Sequence, residues 1–134
     1  MKSNCKWVKN YQSVVDNGRS HAQVMDLPEA KGGDNTAPTA LEATVMSLSG
    51  CIVTIFAVVA NKMRLSFNEL ELDLNAEKTD DDPTITAVNF ELKIKTEATK
   101  DKVQKCLEHT LNTCPVGVLF RNAGVTLSNT ITML

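Results

Sequence analysis

The sequence lacks several features that would each assign it to a class of protein. No run of Lys and Arg with interleaved aromatics occurs, and the net charge is -2, which argues against a nucleic-acid-binding face. No apolar segment follows the charged start MKSNCKWVKNYQ, so a secretory signal is not predicted. Repeats, low-complexity segments, a Ser/His/Asp order, a P-loop and a dinucleotide glycine pattern are all missing. We therefore expect a cytoplasmic protein that binds no nucleic acid.

The composition that remains is that of an ordinary globular domain. The chain has 134 residues, 43% of them hydrophobic and 22% charged, so we expect one domain over residues 1–134. A domain of this size buries a core without disulfide staples. The cysteines are Cys5, Cys51, Cys106 and Cys114. In a reducing compartment each of them is free, catalytic or metal-bound.

The first third of the chain predicts a β-hairpin and a loop. Asn17-Gly18 favours a two-residue type I′ turn, with strands at 6–15 and 19–26 on either side of it. Residues 29–37 are rich in Gly, Asp, Asn and Thr, which is typical of a loop.

A long helix is predicted from residue 39 to residue 61. Residues 43–60 carry no charge, and these 18 residues are at the lower limit for a membrane span. Two Ser, two Thr and one Gly in the segment favour a buried helix in a folded protein instead, so no membrane association is expected. A helix that is apolar all round is buried all round. One small domain has few elements to surround it, so we expect a second copy, in a homodimer.

The second half of the chain predicts strands and one amphipathic helix. Alternating apolar and charged residues indicate antiparallel strands at 67–78 and 84–95, and a third strand at 125–133 completes the sheet. The acidic segment 79–83 is interpreted as a solvated turn rather than a metal site. Residues 98–112 have apolar side chains four apart, as in an amphipathic helix. Strands and helices come in blocks, so the fold class is α+β.

Two cysteines stand out by position. Cys114 precedes Pro115, which suits the first position of a helix, and unpaired N–H groups at a helix start favour a thiolate. Cys51 lies in the middle of the apolar helix, where position alone indicates a core residue. The spacing of Cys106, His109 and Cys114 has a weak likeness to zinc-ligand spacing, but no fourth ligand is nearby. Cys5 is expected to be a bystander, and His21 and His109 to be surface or sheet residues.

Several segments, in order along the chain, resemble the signature segments of the OsmC/Ohr family. One begins with Pro38 and Glu42 and ends in Gly50-Cys51, in a helix rich in small residues. Another is Cys114-Pro115-Val116-Gly117, where many members have Cys-Pro-Val-Ser. Met25-Asp26-Leu27-Pro28 and Gly32-Gly33-Asp34 are similar to the family's passage from strand to loop. The resemblance covers essentially the whole chain.

The resemblance implies a fold and a chemistry. The fold is an intertwined homodimer in which antiparallel sheets clasp long central buried helices. The chemistry is that of a thiol peroxidase without metal or cofactor, acting on (organic) hydroperoxides in oxidative-stress defence. Cys51 is the thiol that attacks the peroxide, Cys114 is the thiol that forms a disulfide with it, and an external dithiol reduces that disulfide.

The family's peroxidases also use an Arg that is held by a carboxylate. Arg19 is the candidate for the Arg, since its guanidinium stabilises a thiolate and a leaving oxygen. Glu42 is the candidate carboxylate, although the family places it ten residues before the first cysteine, where this chain has Leu41. Nine residues at about 100° each put Glu42 on the side of the helix opposite Cys51. It acts across the dimer, or it favours the start of the helix through its charge.

Two other functions stay open from the sequence. A non-catalytic module could bind a hydrophobic ligand between subunits, but it would not need two cysteines that approach each other. A redox sensor would form the same disulfide without turnover.

Overall fold

The mixed α+β class predicted from the sequence is confirmed. The computed structural model describes residues 1–134, which form two compact units, residues 1–46 and residues 47–134. The strands and helices, in chain order, are β1 Asn4–Lys9, β2 Gln12–Asp16, β3 Ala22–Met25, a 3₁₀ turn Glu29–Lys31, α1 Ala40–Lys62, β4 Glu69–Glu77, β5 Ala87–Lys95, α2 Lys100–Thr113, α3 Pro115–Asn122 and β6 Thr126–Met133.

The first unit contains an antiparallel sheet of three strands in the order β1-β2-β3. The sequence predicted a hairpin of two strands, with residues 6–15 as one continuous strand. In the structure this segment is divided between β1 and β2. Asn10 divides them by adopting a left-handed φ of 44°, and its carbonyl accepts a hydrogen bond of 2.8 Å from Trp7 Nε1. Asn tolerates this conformation, but the turn has neither Gly nor Pro to indicate it in the sequence.

The turn between β2 and β3 is also longer than predicted. Residues 17–21 connect the strands, and the Asn17 N–H donates to the His21 carbonyl at 3.1 Å. The Asn17 side-chain oxygen accepts from the Arg19 N–H at 2.8 Å. Gly18 has the positive φ expected of it, 68°. The side chain of Asn17 therefore organises a wider turn than the two-residue type I′ turn that Asn-Gly favours.

The loop that leads to α1 is organised by a buried carboxylate. Asp26 is 2% exposed and accepts hydrogen bonds from the N–H and hydroxyl of Thr36, at 3.0 and 2.8 Å, and from the Leu27 N–H at 2.8 Å. Gln12 donates to Asp34 at 3.2 Å and to the Thr36 hydroxyl at 3.0 Å. The pKa of Asp26 falls to about 2, chiefly because the Thr36 N–H stabilises the charged carboxylate.

The second unit contains the sheet β4-β5-β6. The β4–β5 pair is antiparallel, as predicted, with Leu72 opposite Leu92. The β5–β6 pair is parallel, with Leu92 beside Ile131, so the expectation of purely antiparallel sheets is wrong for this pair. Parallel neighbours need a crossover connection, which here consists of α2 and α3.

Within the second unit, α1 buries one side only. Leu48, Ile52, Phe56 and Ala60 recur every fourth residue and are 0% exposed. The helix is long and apolar enough to cross a membrane, yet only 28% of its most apolar window is buried. Core helices pass the same length and composition test, so this is weak evidence for a membrane span. The prediction of a helix buried all round is thus not met by the second unit by itself.

We expect the Asp26→Asn substitution to destabilise the first unit. The Asn amide N–H₂ group would face backbone and hydroxyl groups that are themselves donors, so about one hydrogen bond is lost. The Tm should therefore fall on the order of 5 °C near neutral pH. A carboxyl with a lowered pKa adds stability above its unfolded pKa, and this stability is lost as pH falls. The difference from wild type should shrink below pH 3.8 and vanish below about 2.

Thermal unfolding followed by circular dichroism across that pH range measures the effect. Asp80→Asn, in an exposed turn, is the matched control and should leave Tm unchanged. A Tm difference that stays constant with pH would contradict the charge-based explanation.

Candidate functional site

Cys114 lies where one helix ends and the next begins. It is the C-cap of α2, and its N–H donates to the Thr110 carbonyl at 2.8 Å. It is also the N-cap of α3, with Pro115 at the first helical position and its own backbone extended. The predicted helix start at Pro115 is therefore confirmed. Two helices fix this backbone, so the Cys114 side chain has a defined direction.

The second unit brings Cys114 and Cys51 together. Their Sγ atoms lie 2.9 Å apart, with the Cys114 thiol as donor and the Cys51 sulfur as acceptor. Both cysteines are free thiols in the structure. Cys114 is fully buried, whereas Cys51, on α1, is half-buried. The two sulfurs need only a small displacement to form a disulfide, and within one chain Cys51 is the more exposed of the two.

At Cys114, the effect of burial on the thiol pKa outweighs the effect of the helix start. The pKa of this thiol rises to about 11, first because of burial and second because it donates to Cys51. The N–H groups of Gly117 and Val116 lower the pKa, as a helix start should, but by less. The expectation that Cys114 is a thiolate is therefore wrong, because an uncharged thiol is favoured in a site shielded from water. At neutral pH Cys114 holds its proton.

Gly117 is a site residue that the sequence reasoning did not single out. Its N–H donates to Cys114 Sγ at 3.4 Å, in the position that an N-cap side chain normally occupies. The signal was present in the sequence. Pro115 at the first helical position makes Gly117 the third, and the N–H of the third residue faces the N-cap side chain.

Glu42 caps the start of α1. Its carboxylate accepts from the Thr39 N–H at 2.7 Å, and its own N–H donates to the Thr39 hydroxyl at 3.1 Å, a reciprocal capping box. The Thr39 hydrogen bonds lower the pKa of Glu42. The pattern Thr-x-x-Glu was visible in the sequence. Of the two roles predicted for Glu42, the structure displays the one at the helix start, and the catalytic one stays a prediction.

Arg19 lies in the exposed turn between β2 and β3. Its side chain lines a surface pocket together with Met1, Lys2 and Asn17. Within the first unit no ion pair joins Arg19 to Glu42. The structure therefore does not bring these two candidates together, and the role of Arg19 stays a prediction.

The other cysteines and the histidines differ in their surroundings. Cys106 is buried in α2, where its thiol points at the Phe56 carbonyl at 3.9 Å, and burial raises its pKa. Cys5 is exposed on β1. His21 and His109 are exposed, as predicted. No group of three or more His, Cys, Asp or Glu side chains is placed to hold a metal ion.

Comparison with known proteins matches most of the chain to one family. Residues 32–128 match the family described as OsmC-like protein. This range contains Cys51 and Cys114. No curated protein sequence matches the chain.

Solved structures share the fold over nearly the whole length. The chain is similar to an OsmC-like protein from Mycoplasma pneumoniae, with a TM-score of 0.88 at 10% identity, covering 99% of this chain and 96% of that one. It is similar to an organic hydroperoxide resistance protein from Legionella pneumophila, with a TM-score of 0.77 at 13% identity, covering 98% and 97%. The organic hydroperoxide resistance protein OhrB of Bacillus subtilis gives a TM-score of 0.65 at 14% identity, covering 98% of each chain. At these identities the likeness shows the fold.

We expect Cys114 to titrate well above an ordinary thiol. In a Cys51→Ser variant burial still acts on Cys114, so its pKa should remain above 9.0, the ordinary value. The ultraviolet absorbance of the thiolate, recorded against pH, measures this. A Cys51→Ser, Cys114→Ser variant supplies the background from Cys5 and Cys106. An added ionisation below pH 9.0 would contradict the dominance of burial over the helix start.

Proposed function

This chain belongs to the OsmC-like protein family, and we propose that it is a cysteine-based peroxidase that reduces organic hydroperoxides. The observation that carries the proposal is the pair of free thiols whose sulfurs lie 2.9 Å apart, one buried and one half-buried. Two relatives in structure are organic hydroperoxide resistance proteins. In the cytoplasm such a protein would serve oxidative-stress defence, and it would need neither a metal nor a cofactor.

The two thiols divide the reaction between them. The thiolate of Cys51 attacks the outer oxygen of the hydroperoxide, the O–O bond breaks, and the alkoxide takes a proton to leave as an alcohol. Cys51 is then a sulfenic acid. The Cys114 sulfur attacks the Cys51 sulfur, water leaves, and the disulfide forms. An external dithiol restores both thiols by exchange.

The differences in burial and protonation support this assignment of roles. Within one chain Cys51 is the more exposed of the two sulfurs, whereas Cys114 is 0% exposed. Cys114 holds its proton and directs it at Cys51. A buried thiol next to the sulfur it must later attack suits the resolving step, in which it gives up its proton and attacks as the thiolate.

Arg19 and Glu42 complete the proposal. A guanidinium stabilises a thiolate and the leaving oxygen together, so we propose that Arg19 acts on the Cys51 reaction in this way. Arg19 is exposed and forms no ion pair within the first unit. Glu42 would hold Arg19 only by giving up part of its capping of α1.

The alternative functions are less well supported. A redox sensor would form the same disulfide, and only the rate of turnover separates it from an enzyme. A module that binds a hydrophobic ligand would give no reason for two sulfurs in contact.

We also propose that two copies of the chain associate through α1. The exposed side of this apolar helix carries small residues at helical spacing, Ser47, Gly50, Thr54 and Ala57. A Cβ built on Gly50 would meet nothing within 4 Å, so that side has room for another helix. A second copy presents the same small side chains, and a two-fold axis allows the two helices to approach closely.

Treatment with one equivalent of an organic hydroperoxide should oxidise Cys51 and Cys114 to one intramolecular disulfide. In Cys51→Ser peroxide consumption should fall about 10²-fold or more, because the attacking sulfur is gone. In Cys114→Ser one turnover should leave a sulfenic acid on Cys51. Mass spectrometry with a sulfenic acid trap, together with a peroxide assay, measures both.

Cys5→Ser is the matched control and should react like wild type. If the folded wild-type protein keeps both thiols reduced, the peroxidase proposal is wrong. Disulfide formation without repeated turnover in the presence of a dithiol would favour the redox sensor.

The Gly50→Leu substitution should weaken self-association while the chain stays folded. The larger side chain fits the open side of α1 in one chain but blocks the close approach of two α1 helices. The dimer dissociation constant should therefore rise by about tenfold or more, which is a loss of about 1.4 kcal/mol or more in association free energy. Sedimentation equilibrium at several concentrations measures it. Glu108→Leu, on the exposed side of α2, is the control. A monomeric wild-type chain, or a Gly50→Leu variant with unchanged affinity, would contradict the proposed dimer.

A further inference from the structure

We infer that Asn17 is a site of spontaneous modification, at which the turn between β2 and β3 converts the asparagine to aspartate or isoaspartate. The proposed peroxidase reaction makes no use of the Asn17-Gly18 pair. In such a pair the Gly18 nitrogen can attack the side-chain carbon of Asn17, because glycine has no Cβ to hinder the approach. The observation that carries the inference is the set of polar groups that the turn directs at the reacting atoms. The reaction does not depend on peroxidase activity.

The turn holds the attacking nitrogen next to a carboxylate. The Gly18 N–H donates to Asp16 Oδ1 at 2.7 Å. Asn4 Nδ2, on the neighbouring strand β1, donates to the same oxygen at 3.0 Å and fixes the carboxylate from a second side. An amide nitrogen attacks as it loses its proton, and Asp16 is in direct contact with that proton. Asp16 is therefore placed to act as the base.

The side-chain carbonyl of Asn17 is surrounded by donors. Its Oδ1 accepts from the Arg19 N–H at 2.8 Å and from the His21 N–H at 3.4 Å. The bond to Arg19 closes a ring that contains both Asn17 Cγ and the Gly18 nitrogen, so the two reacting atoms belong to one small ring. When the nitrogen bonds to Cγ, negative charge develops on Oδ1. Two backbone N–H groups already face that oxygen and stabilise the charge.

The nitrogen that must leave has a partner as well. Asn17 Nδ2 lies 3.1 Å from His21 Nδ1. An amide nitrogen needs a proton in order to leave as ammonia, and an imidazole in contact with it can pass one. The Asn17 N–H donates to the His21 carbonyl at 3.1 Å, which closes the turn and keeps the two residues together. The attacking, developing and leaving groups are thus each matched by a neighbour of suitable chemistry.

The reaction balances with water as its one co-reactant. The Gly18 nitrogen bonds to Asn17 Cγ, and its proton passes to Asp16. The Cγ–Nδ2 bond breaks, and ammonia leaves with a proton from His21, which water replaces from Asp16. The ring that remains is a succinimide. Water opens it at either of its two carbonyl carbons, which gives aspartate or isoaspartate at position 17.

Both products lack a group on which the turn depends. Aspartate at position 17 has no Nδ2 to contact His21. Isoaspartate takes the carbonyl that accepts from the Arg19 N–H into the main chain and lengthens the turn by one carbon. Either product therefore loosens the turn that carries Arg19.

Deamidation kinetics of the full chain test the inference. The reduced protein is incubated near neutral pH, once folded and once in guanidinium chloride, and samples are digested with trypsin at mildly acidic pH. Trypsin cleaves after Lys9 and Arg19, so Asn17 lies in the peptide of residues 10–19. Mass spectrometry measures the change from amide to acid. Electron-transfer fragments assign it to Asn17 rather than Asn10 and identify isoaspartate.

Asn17 should deamidate about tenfold or more faster in the folded chain than in the denatured chain, because only the folded turn aligns the groups around it. Equal rates in the two states would overturn the inference, and a slower rate in the folded chain would do so as well. This comparison needs no variant.

Asp16→Asn separates the chemical role of the carboxylate from a structural one. The amide keeps an oxygen that accepts from the Gly18 N–H, but it is a far weaker base than a carboxylate. In the folded variant, confirmed by circular dichroism, the rate at Asn17 should fall about tenfold or more, while the rate in the denatured chain changes little. Asp80→Asn is the matched control and should leave both rates unchanged. An unchanged rate in folded Asp16→Asn would contradict the assignment of Asp16 as the base.

Discussion

The chemistry of this chain depends on one constraint, the fixed position of Cys114 between two helices. Its N–H ends α2 by bonding to Thr110, and its sulfur begins α3 by accepting from Gly117. Because both helices use the same residue, the sulfur cannot rotate away without breaking a cap. It is thereby held 2.9 Å from Cys51 and out of contact with water. A resolving thiol must lie close to the sulfur it attacks and be protected from side reactions; the position of Cys114 between the helices serves the first requirement, and its burial serves the second.

Much of the fold could be predicted from the sequence, because it depends on local patterns. Strands β4 and β5 and helix α2 follow from apolar periodicity, and α3 from Pro115. The parallel β5–β6 pair could not be predicted in this way, since periodicity gives the faces of a strand but not its direction. The break at Asn10 was missed because Asn marks such a turn less clearly than Gly.

The candidate site was predicted less completely than the fold. The resemblance to a family paired Cys51 with Cys114, which neither spacing nor composition could do across 63 positions. The protonation of Cys114 was misjudged, because a helix start is visible in sequence whereas burial is a property of the packed chain. Gly117 was overlooked although its sequence position was sufficient to identify it. Local sequence rules therefore identify the N–H groups around the sulfur, whereas tertiary packing determines that burial has the larger effect on its pKa.

The apolar helix α1 connects the stability of the protein with its reactivity. Its buried side, Leu48, Ile52, Phe56 and Ala60, forms part of the core of the second unit, and Cys51 lies one residue before Ile52. Successive helical residues are about 100° apart, so Cys51 sits at the edge of this buried side rather than within it. An edge position explains how one thiol contacts a fully buried partner while remaining half-exposed itself. Moving the cysteine one residue either way along the helix would bury the reactive sulfur or remove it from Cys114. The helical register, more than any charged neighbour within the second unit, therefore makes Cys51 the accessible member of the pair.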